Sequence, residues 1–180
     1  MLDIEDLSAD TVGELLTWPG GCQAAACVYW EHYEHRKNPV AQRVALKAEW
    51  FRRVTAEFGC CGKLARVDSV PVGFVQFAPP RYLPNALAYD CGPPSEDGVF
   101  VSCLHVAEEW RGRGVGRALL EAVLADVPRR GLAAVETYAR KGPEAHNNPS
   151  GLLEFWARNG FRVVREGPEF ALVRKELMEL

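Results

Sequence analysis

Three glycines at alternate positions, Gly112, Gly114 and Gly116, constrain the fold of this chain more than any other feature of its sequence. They lie between an apolar run at residues 99–106 and a segment whose leucines and valines recur at helical spacing. Glycine lets the backbone approach a ligand closely, and the first N–H groups of a helix have no partner within that helix. This order of strand, glycine-rich loop and helix therefore predicts a phosphate-binding site.

The neighbouring charges favour the same interpretation, and the spacing of the glycines excludes two kinds of phosphate loop. Arg111, Arg113 and Arg117 add positive charge where the helix dipole already favours anions. A P-loop needs Gly-Lys-Ser/Thr, which the chain does not contain. A dinucleotide-binding loop needs G-x-G-x-x-G directly after its strand, and too few residues follow here to complete a doubly wound sheet. A simple tight turn onto a helix is the structural alternative.

Two motifs together resemble the GNAT superfamily of N-acetyltransferases. Leu104-His105-Val106, followed after four residues by Arg111-x-x-Gly114-x-Gly116, is similar to motif A of that superfamily. Asn159-Gly160-Phe161, after a short helix, is similar to its Gly-Phe element. The resemblance extends from about residue 63 to the C-terminus and includes the order of the strands.

The resemblance implies both a fold and a cofactor site. The expected fold is a single α/β (α+β) domain over residues 1–180, with a mixed, mostly antiparallel central sheet that is flanked by helices and splayed to admit CoA. Residues 1–60 would form an acceptor-side region, and residues 61–180 the acetyl-CoA-binding core. The strand end would pair with the pantetheine amides, and the loop would hold the pyrophosphate. The implied cofactor contacts are Leu104, His105, Val106, Arg111, Gly112, Arg113, Gly114, Val115, Gly116, Arg117, Asn148 and Trp156.

Two of these positions depart from the family pattern. Trp156 stands where many members carry the tyrosine that protonates the leaving thiolate, and an indole N–H is not a general acid near neutral pH. A packed core aromatic is the other interpretation of Trp156. Asn148 precedes Pro149 and is also typical of a helix N-cap.

The catalytic base of the family is also absent from its usual position, which Phe100 occupies here. Strand alternation predicts that Ser102 shares the face of Phe100 and Leu104, and Tyr138 lies near the end of the next strand. Ser102 and Tyr138 are the candidate proton relays. Their alternative role is that of buried hydroxyls with satisfied hydrogen bonds.

The remaining pattern predicts the other elements of the domain. Proline, glycine and asparagine are frequent between residues 79 and 97, which predicts a long functional loop in which Tyr82, Tyr89 and the Glu96–Asp97 pair line an acceptor pocket. The predicted strands are 22–30, 63–67, 72–77, 99–106, 132–139, 161–165 and 170–174, and the main helices are those from Pro39 to about Gly59, from the glycine-rich loop to Pro128, and 149–159.

Composition excludes several partners. The net charge is -3 and basic residues do not cluster, which disfavours nucleic acid. The apolar stretches are too short for a membrane span, and the acidic N-terminus does not resemble a secretory signal, so we expect a cytoplasmic protein. The six cysteines contain no C-x-x-C pair, and we expect free thiols and no metal site.

The expected activity is transfer of an acetyl group from acetyl-CoA to a primary amine of a small molecule or peptide. Direct attack in a ternary complex is the expected mechanism, because proximity to an activated thioester supplies much of the rate. A monomer or homodimer is expected. The alternative is a non-catalytic CoA-binding or regulatory module that keeps motif A without the acid and the base.

Overall fold

A computed structural model describes residues 1–17, 24–142 and 150–177. These residues contain a seven-stranded sheet in the order β1-β2-β3-β4-β5-β7-β6. The strands are β1 (Leu2–Asp6), β2 (Gly62–Val67), β3 (Val70–Ala78), β4 (Gly98–Val106), β5 (Ala134–Arg140), β6 (Arg162–Glu166) and β7 (Phe170–Glu176), and the α-helices are α1 (Val40–Glu57), α2 (Val115–Asp126) and α3 (Leu153–Arg158). The predicted fold, a mixed and mostly antiparallel sheet flanked by helices, is confirmed.

The sheet has two buried faces. The α1 face packs α1, the N-terminal segment and the long β3–β4 loop against Phe74, Phe100 and Tyr138. The α2 face packs α2 and α3 against residues such as Val75 and Val101. The sheet is therefore covered on both sides, as the uninterrupted apolar character of β4 predicts.

Among the seven strands that the structure describes, only one neighbouring pair runs parallel. β4 and β5 pair through three residues each, from Gly98 opposite Ala134 to Phe100 opposite Glu136. Beyond that point β4 continues to Val106 alongside β3, while β5 continues to Arg140 alongside β7. The two central strands thus separate after Phe100 and Glu136, and we call the opening between them the β4–β5 gap.

A bulge in β4 makes the alternation of its side chains differ from the predicted one. Gln76 of β3 lies opposite Cys103, but the next residue of β3, Phe77, lies opposite Val101, so Ser102 is the extra residue. A bulge of this kind reverses the inward and outward pattern beyond it. Cys103 consequently packs on the α1 face with Phe100, and Leu104 packs on the α2 face. The prediction that Leu104 shares the face of Phe100 is wrong.

The predicted strand at residues 22–30 is also wrong over its described part, residues 24–30. A 3₁₀ helix spans Ala24–Ala26, and turns follow it. Its carbonyls find partners outside any sheet: the Arg43 guanidinium donates to the Ala26 carbonyl at 2.6 Å, and the Asn85 amide donates to the Trp30 carbonyl at 3.2 Å. An apolar run of this length does not distinguish a buried strand from a buried irregular segment.

Helix α3 begins later than predicted. Its N-cap is Leu152, which forms a bridge with Arg140 of β5, and not the predicted Asn148. Asn148 and Pro149 lie outside the described residues. The helix ends as predicted at Gly160, whose φ of 84° is a conformation that glycine adopts readily.

Within the described ranges, every helix is too short or too polar to cross a lipid bilayer.

Candidate cofactor and acceptor site

The β4–β5 gap is bordered by strand backbone that has lost its partner strand on one side. The Thr137 hydroxyl donates to the Val101 carbonyl at 2.7 Å where the two strands part. Further along, Leu104, His105 and Val106 pair with β3 only. An extended ligand can add to such an edge as an additional strand.

The glycine-rich loop follows β4 after a short 3₁₀ helix, Glu108–Trp110, and owes its glycines to backbone conformation. Gly112 and Gly114 have φ values of 72° and 84°, and a Cβ atom added to either would meet no atom within 4 Å. A left-handed conformation is costly for other residues even where space is free. The glycines therefore set the path of the loop and leave its surface open.

The start of α2 presents unpaired amides to that open surface. The first helical hydrogen bond runs from the Ala118 amide to the Gly114 carbonyl at 2.9 Å, and no side chain caps the helix. The amides of Val115, Gly116 and Arg117 therefore precede the hydrogen-bonded turn. Gly116 faces β4, and an added Cβ would make ordinary van der Waals contact, at 3.5 Å, with the side chains of Leu104 and Val106.

Three arginines surround this helix start, and each already has a contact. The Arg111 Nε donates to the Val106 carbonyl at 3.3 Å, and Arg113 lies over the ring of Trp110 at 5.0 Å. Arg117 pairs with a glutamate one helical turn later at 2.8 Å. All three remain exposed, so their charge adds to the helix dipole at the surface.

His105 is the most perturbed side chain next to the loop. Its ring stacks on Phe74 with centroids 5.2 Å apart, and its Nε2 is buried without a hydrogen-bond partner. Burial, together with the nearby Arg111 charge, lowers the pKa of His105 to about 4. Its side chain is therefore neutral at physiological pH and belongs to the α1 face, while its backbone borders the gap.

Trp156 lies in the hydrophobic core. Its side chain is fully buried, packs edge-on against Phe161 at 4.8 Å, and donates its indole N–H to the Ser150 carbonyl at 2.6 Å. The one polar group of this residue is thus engaged within the fold. The structure places it on the α2 face, where the packing interpretation puts it, and the other implied contact, Asn148, lies outside the described residues.

Ser102 belongs to a buried polar cluster beneath the bulge. Its hydroxyl accepts from the Gln76 amide at 3.0 Å, and the same amide donates to Glu31 at 2.5 Å. Lys47 of α1 donates to Glu31 at 2.5 Å and to the side-chain oxygen (Oε1) of Gln76 at 2.8 Å. Burial alone lowers the pKa of Lys47, but the charge of the Glu31 carboxylate outweighs it and raises that pKa. Glu31, Lys47, Gln76 and Ser102 form the bulge cluster.

Tyr138 secures the long loop over the α1 face. Its hydroxyl lies 2.6 Å from the Ala86 carbonyl and 2.7 Å from the Gly92 carbonyl, and its ring stacks on Tyr89 with centroids 4.4 Å apart. The residue is 1% exposed, and burial raises the pKa of its hydroxyl. Both candidate relays are therefore buried and hydrogen-bonded.

The acceptor-pocket residues predicted from the loop do not come together. Tyr82 is buried and its hydroxyl donates to Glu57 at 3.0 Å, while Asp97 forms a two-pronged pair with Arg174 at 2.9 and 2.8 Å. Tyr89 alone lines a cavity of about 270 Å³. The other residues around that cavity are Tyr29, Ala88, Asp90, Cys91, Gly167, Pro168, Glu169 and Phe170.

Sequence reasoning missed the bulge cluster and this cavity. Glu31 and Lys47 are far apart along the chain, and no motif links them.

Five cysteines are free among residues 24–142, and in the described part of the chain no three His, Cys, Asp or Glu side chains gather as metal ligands.

The chain matches one protein-family model and is similar in fold to several solved structures. The model of the acetyltransferase (GNAT) family matches residues 23–161. No curated protein sequence matches the chain. Among solved structures, PaiA N-acetyltransferase from Thermoplasma acidophilum, in complex with coenzyme A, is similar with a TM-score of 0.61 and 14% identity, covering 98% of this chain and 99% of that one.

Two further solved structures are similar in fold over nearly the whole chain. An N-acetyltransferase from Staphylococcus aureus Mu50 gives a TM-score of 0.61 at 14% identity, covering 99% of both chains. YncA from Salmonella typhimurium, a putative acetyltransferase with its cofactor acetyl-CoA, gives 0.60 at 15% identity, covering 99% of this chain and 95% of that one. At these identities the similarity concerns the fold.

Proposed function

The chain belongs to the GNAT family of acetyltransferases, and we propose that it transfers an acetyl group from acetyl-CoA to a primary amine. One observation carries the proposal: β4 and β5 part after Phe100 and Glu136, next to an uncapped helix start behind a glycine-rich loop. Strand edge and helix start offer hydrogen-bond donors and acceptors for a long ligand with an amide-bearing arm and a pyrophosphate.

In this proposal the cofactor lies along β4. The backbone of Leu104, His105 and Val106 pairs with the pantetheine amides, and the amides of residues 112–117 hold the pyrophosphate. The exposed Arg111, Arg113 and Arg117 add attraction for its charge. Residues 61–180 then form the cofactor core, and residues 1–60 cover the acceptor side.

The chemical step is direct attack. The amine nitrogen attacks the thioester carbon, the C–S bond breaks, and the proton lost by nitrogen ends on the departing CoA thiolate. An acyl-enzyme on Cys103 is disfavoured, because burial raises the pKa of this thiol far above neutrality. Ser102 and Tyr138 stay candidate relays through water, although their hydroxyls are engaged, and alignment of the reactants supplies most of the rate.

A panel of amines with acetyl-CoA, followed by thiol release, tests the proposal. We expect turnover with at least one amine, and we expect Cys103→Ala to keep it. Loss of turnover in Cys103→Ala with intact acetyl-CoA binding would show that the acetyl group passes through the cysteine.

The second candidate function is a CoA-binding or regulatory module without catalysis. Trp156 favours it, since a fully buried indole occupies the position of the family's acid. Tight CoA binding without turnover on any amine or peptide would establish this function. In either case we propose a cytoplasmic monomer or homodimer that needs neither metal, membrane nor nucleic acid.

A further inference from the structure

The cavity between the long β3–β4 loop and the β6–β7 turn, which we call the loop–hairpin cavity, has no role in cofactor binding as proposed above. Tyr89, Asp90 and Cys91 line it from the loop, and the segment from Gly167 to Phe170 lines it from the turn. Tyr29 closes it from the N-terminal segment. Its volume of about 270 Å³ equals about nine water molecules, which suits a small molecule or a single side chain.

The walls of the cavity are held in place by specific contacts. Tyr138 fixes the loop through the Ala86 and Gly92 carbonyls, and Arg165 of β6 donates to the Pro93 carbonyl. The turn fits tightly against the loop, because a Cβ on Gly167 would come within 3.2 Å of the Cys91 Cβ. The two walls are thus held in place without a ligand, as is usual for the walls of small-molecule sites.

The cavity adjoins the carboxyl end of β5, the strand that borders the β4–β5 gap. Phe170, on its wall, pairs with Arg140 at the carboxyl end of β5. Pairing of β4 with β5 ends at Glu136, four residues earlier and roughly 13 Å along the strand. Tyr138 lies between these points and stacks on Tyr89, so this wall of the cavity packs on the α1 face of β5.

The lining is aromatic and carries two carboxylates, those of Asp90 and Glu169. The hydroxyls of Tyr29 and Tyr89 lie 3.0 Å apart, and the Phe170 ring lies 5.6 Å from that of Tyr89. Glu169 pairs with Arg140 at 2.7 Å, whereas Asp90 is exposed and forms no ion pair with any residue that the structure describes. A free carboxylate beside aromatic faces favours an organic cation.

The reacting nitrogen itself is a poor ligand for Asp90. An amine must be unprotonated to attack a thioester, and a nearby carboxylate favours its protonated form. Asp90 therefore suits a second cationic group on the same acceptor.

We infer that the loop–hairpin cavity binds the non-reacting, cationic end of a small acceptor that carries a second basic group besides its reacting primary amine, with Asp90 as the residue that selects it. This inference rests on the proposed acetyl transfer.

Three acceptors of matched length test it: 1,5-diaminopentane, pentylamine and 5-aminopentanoic acid, whose far ends are cationic, neutral and anionic. After correction for its two amino groups, the diamine should have a kcat/KM about fivefold above that of pentylamine, mostly through KM, and the amino acid should be poorest. In Asp90→Asn the three values should converge. Asp10→Asn removes an equal charge from an exposed position elsewhere and should keep the wild-type order.

A second variant tests the cavity without altering its charge. Ala88 is exposed on the cavity wall, so Ala88→Trp should fill the space, lower kcat/KM for all three acceptors and leave acetyl-CoA affinity unchanged. Equal kcat/KM values for the three acceptors in the wild type, or the wild-type order in Asp90→Asn, would show that the inference is wrong while acetyl transfer stands.

Failure of the proposed function has a different signature. If none of the three acceptors is acetylated although acetyl-CoA binds, acetyl transfer to these amines is refuted, and calorimetry of 1,5-diaminopentane then decides on the cavity. Weaker binding to Asp90→Asn than to the wild type would support the cavity. No binding, or equal binding to both proteins, would overturn it.

Discussion

The loop at residues 111–117 exposes backbone amides and arginine side chains next to the β4–β5 gap, whereas the α1 face buries the bulge cluster and Tyr138. The first region depends on backbone conformation, and the second on partners that come from distant parts of the chain. Substitutions in the two regions should therefore have different effects. Changes in the loop should alter the affinity for acetyl-CoA with little effect on stability, and changes on the α1 face should alter stability with little effect on that affinity.

Removal of the Lys47 charge should have the largest effect. Lys47→Met leaves the Glu31 carboxylate buried and without its cation, which should lower the free energy of unfolding by about 3–5 kcal/mol. Urea unfolding measures this loss. Lys141→Met breaks the exposed pair with Glu166 and should cost about 1 kcal/mol or less.

The double variant Glu31→Leu/Lys47→Met sharpens this prediction. Replacing both charges by apolar groups should recover most of the loss, because no charge is then left buried alone. A loss in Lys47→Met as small as in Lys141→Met would mean that the α1 face does not depend on the bulge cluster.

A substitution in the glycine-rich loop should act on binding instead. Gly114→Val places a branched side chain where the pyrophosphate is proposed to lie and should weaken acetyl-CoA binding about 100-fold, as expected when one or two charge-assisted hydrogen bonds are lost. Calorimetry with acetyl-CoA measures this affinity.

Gly131→Val is the matched control for that experiment. Gly131 also has a positive φ, 72°, and open space around it, but it lies beyond the far end of α2. Both variants should lose similar stability from backbone strain, and only Gly114→Val should lose acetyl-CoA. Unchanged affinity in Gly114→Val would remove the basis of the cofactor assignment.

The same contrast explains how much of the molecule could be predicted from its sequence. The structure of the glycine-rich loop and of helix α2 depends on residues that are close in sequence. Gly112, Gly114 and the regularly spaced apolar residues of α2 follow one another along the chain, so the sequence pattern predicts the structure. The spacing of the motifs likewise indicated the family, and the resemblance to that family predicted that the central strands separate.

The α1 face could not be predicted in the same way. The bulge at Ser102 depends on its register with β3, and β3 also supplies Gln76 to the cluster. Asp90 and the β6–β7 turn line one cavity because contacts from distant strands, such as that of the Tyr138 hydroxyl, hold the loop backbone. Contacts between residues so far apart in sequence leave no periodic signal.

His105 belongs to both regions and gives a pH-dependent prediction. Its pKa of about 4 in the folded protein is below the usual value of 6.5, so the unfolded chain binds a proton between these values that the folded protein does not. Stability from this group is present above pH 6.5 and is lost as the pH falls toward 4. Between pH 6.5 and 5 the wild type should lose about 2 kcal/mol from this residue alone.

His105→Phe should remove that loss and keep the stack on Phe74. Urea unfolding of both proteins at pH 6.5 and pH 5 measures the difference in slope. Affinity for acetyl-CoA should not change, because the proposed contact is through the backbone. Parallel pH profiles of stability would show that the imidazole is not held neutral by burial.

The smallest expected effect comes from the Tyr138 hydroxyl, and it decides whether this group is structural or catalytic. Tyr138→Phe keeps the ring stack on Tyr89 but leaves the Ala86 and Gly92 carbonyls without their donor, which should cost about 1–2 kcal/mol of stability. Hydrogen exchange should quicken in the loop around residues 86–92. Tyr29→Phe, which removes a hydroxyl from the cavity wall, is the control and should leave that exchange nearly unchanged. If Tyr138→Phe kept its stability but lost turnover, with a changed pH profile of kcat, the hydroxyl would act in proton transfer, and the α1 face would contribute chemistry as well as packing.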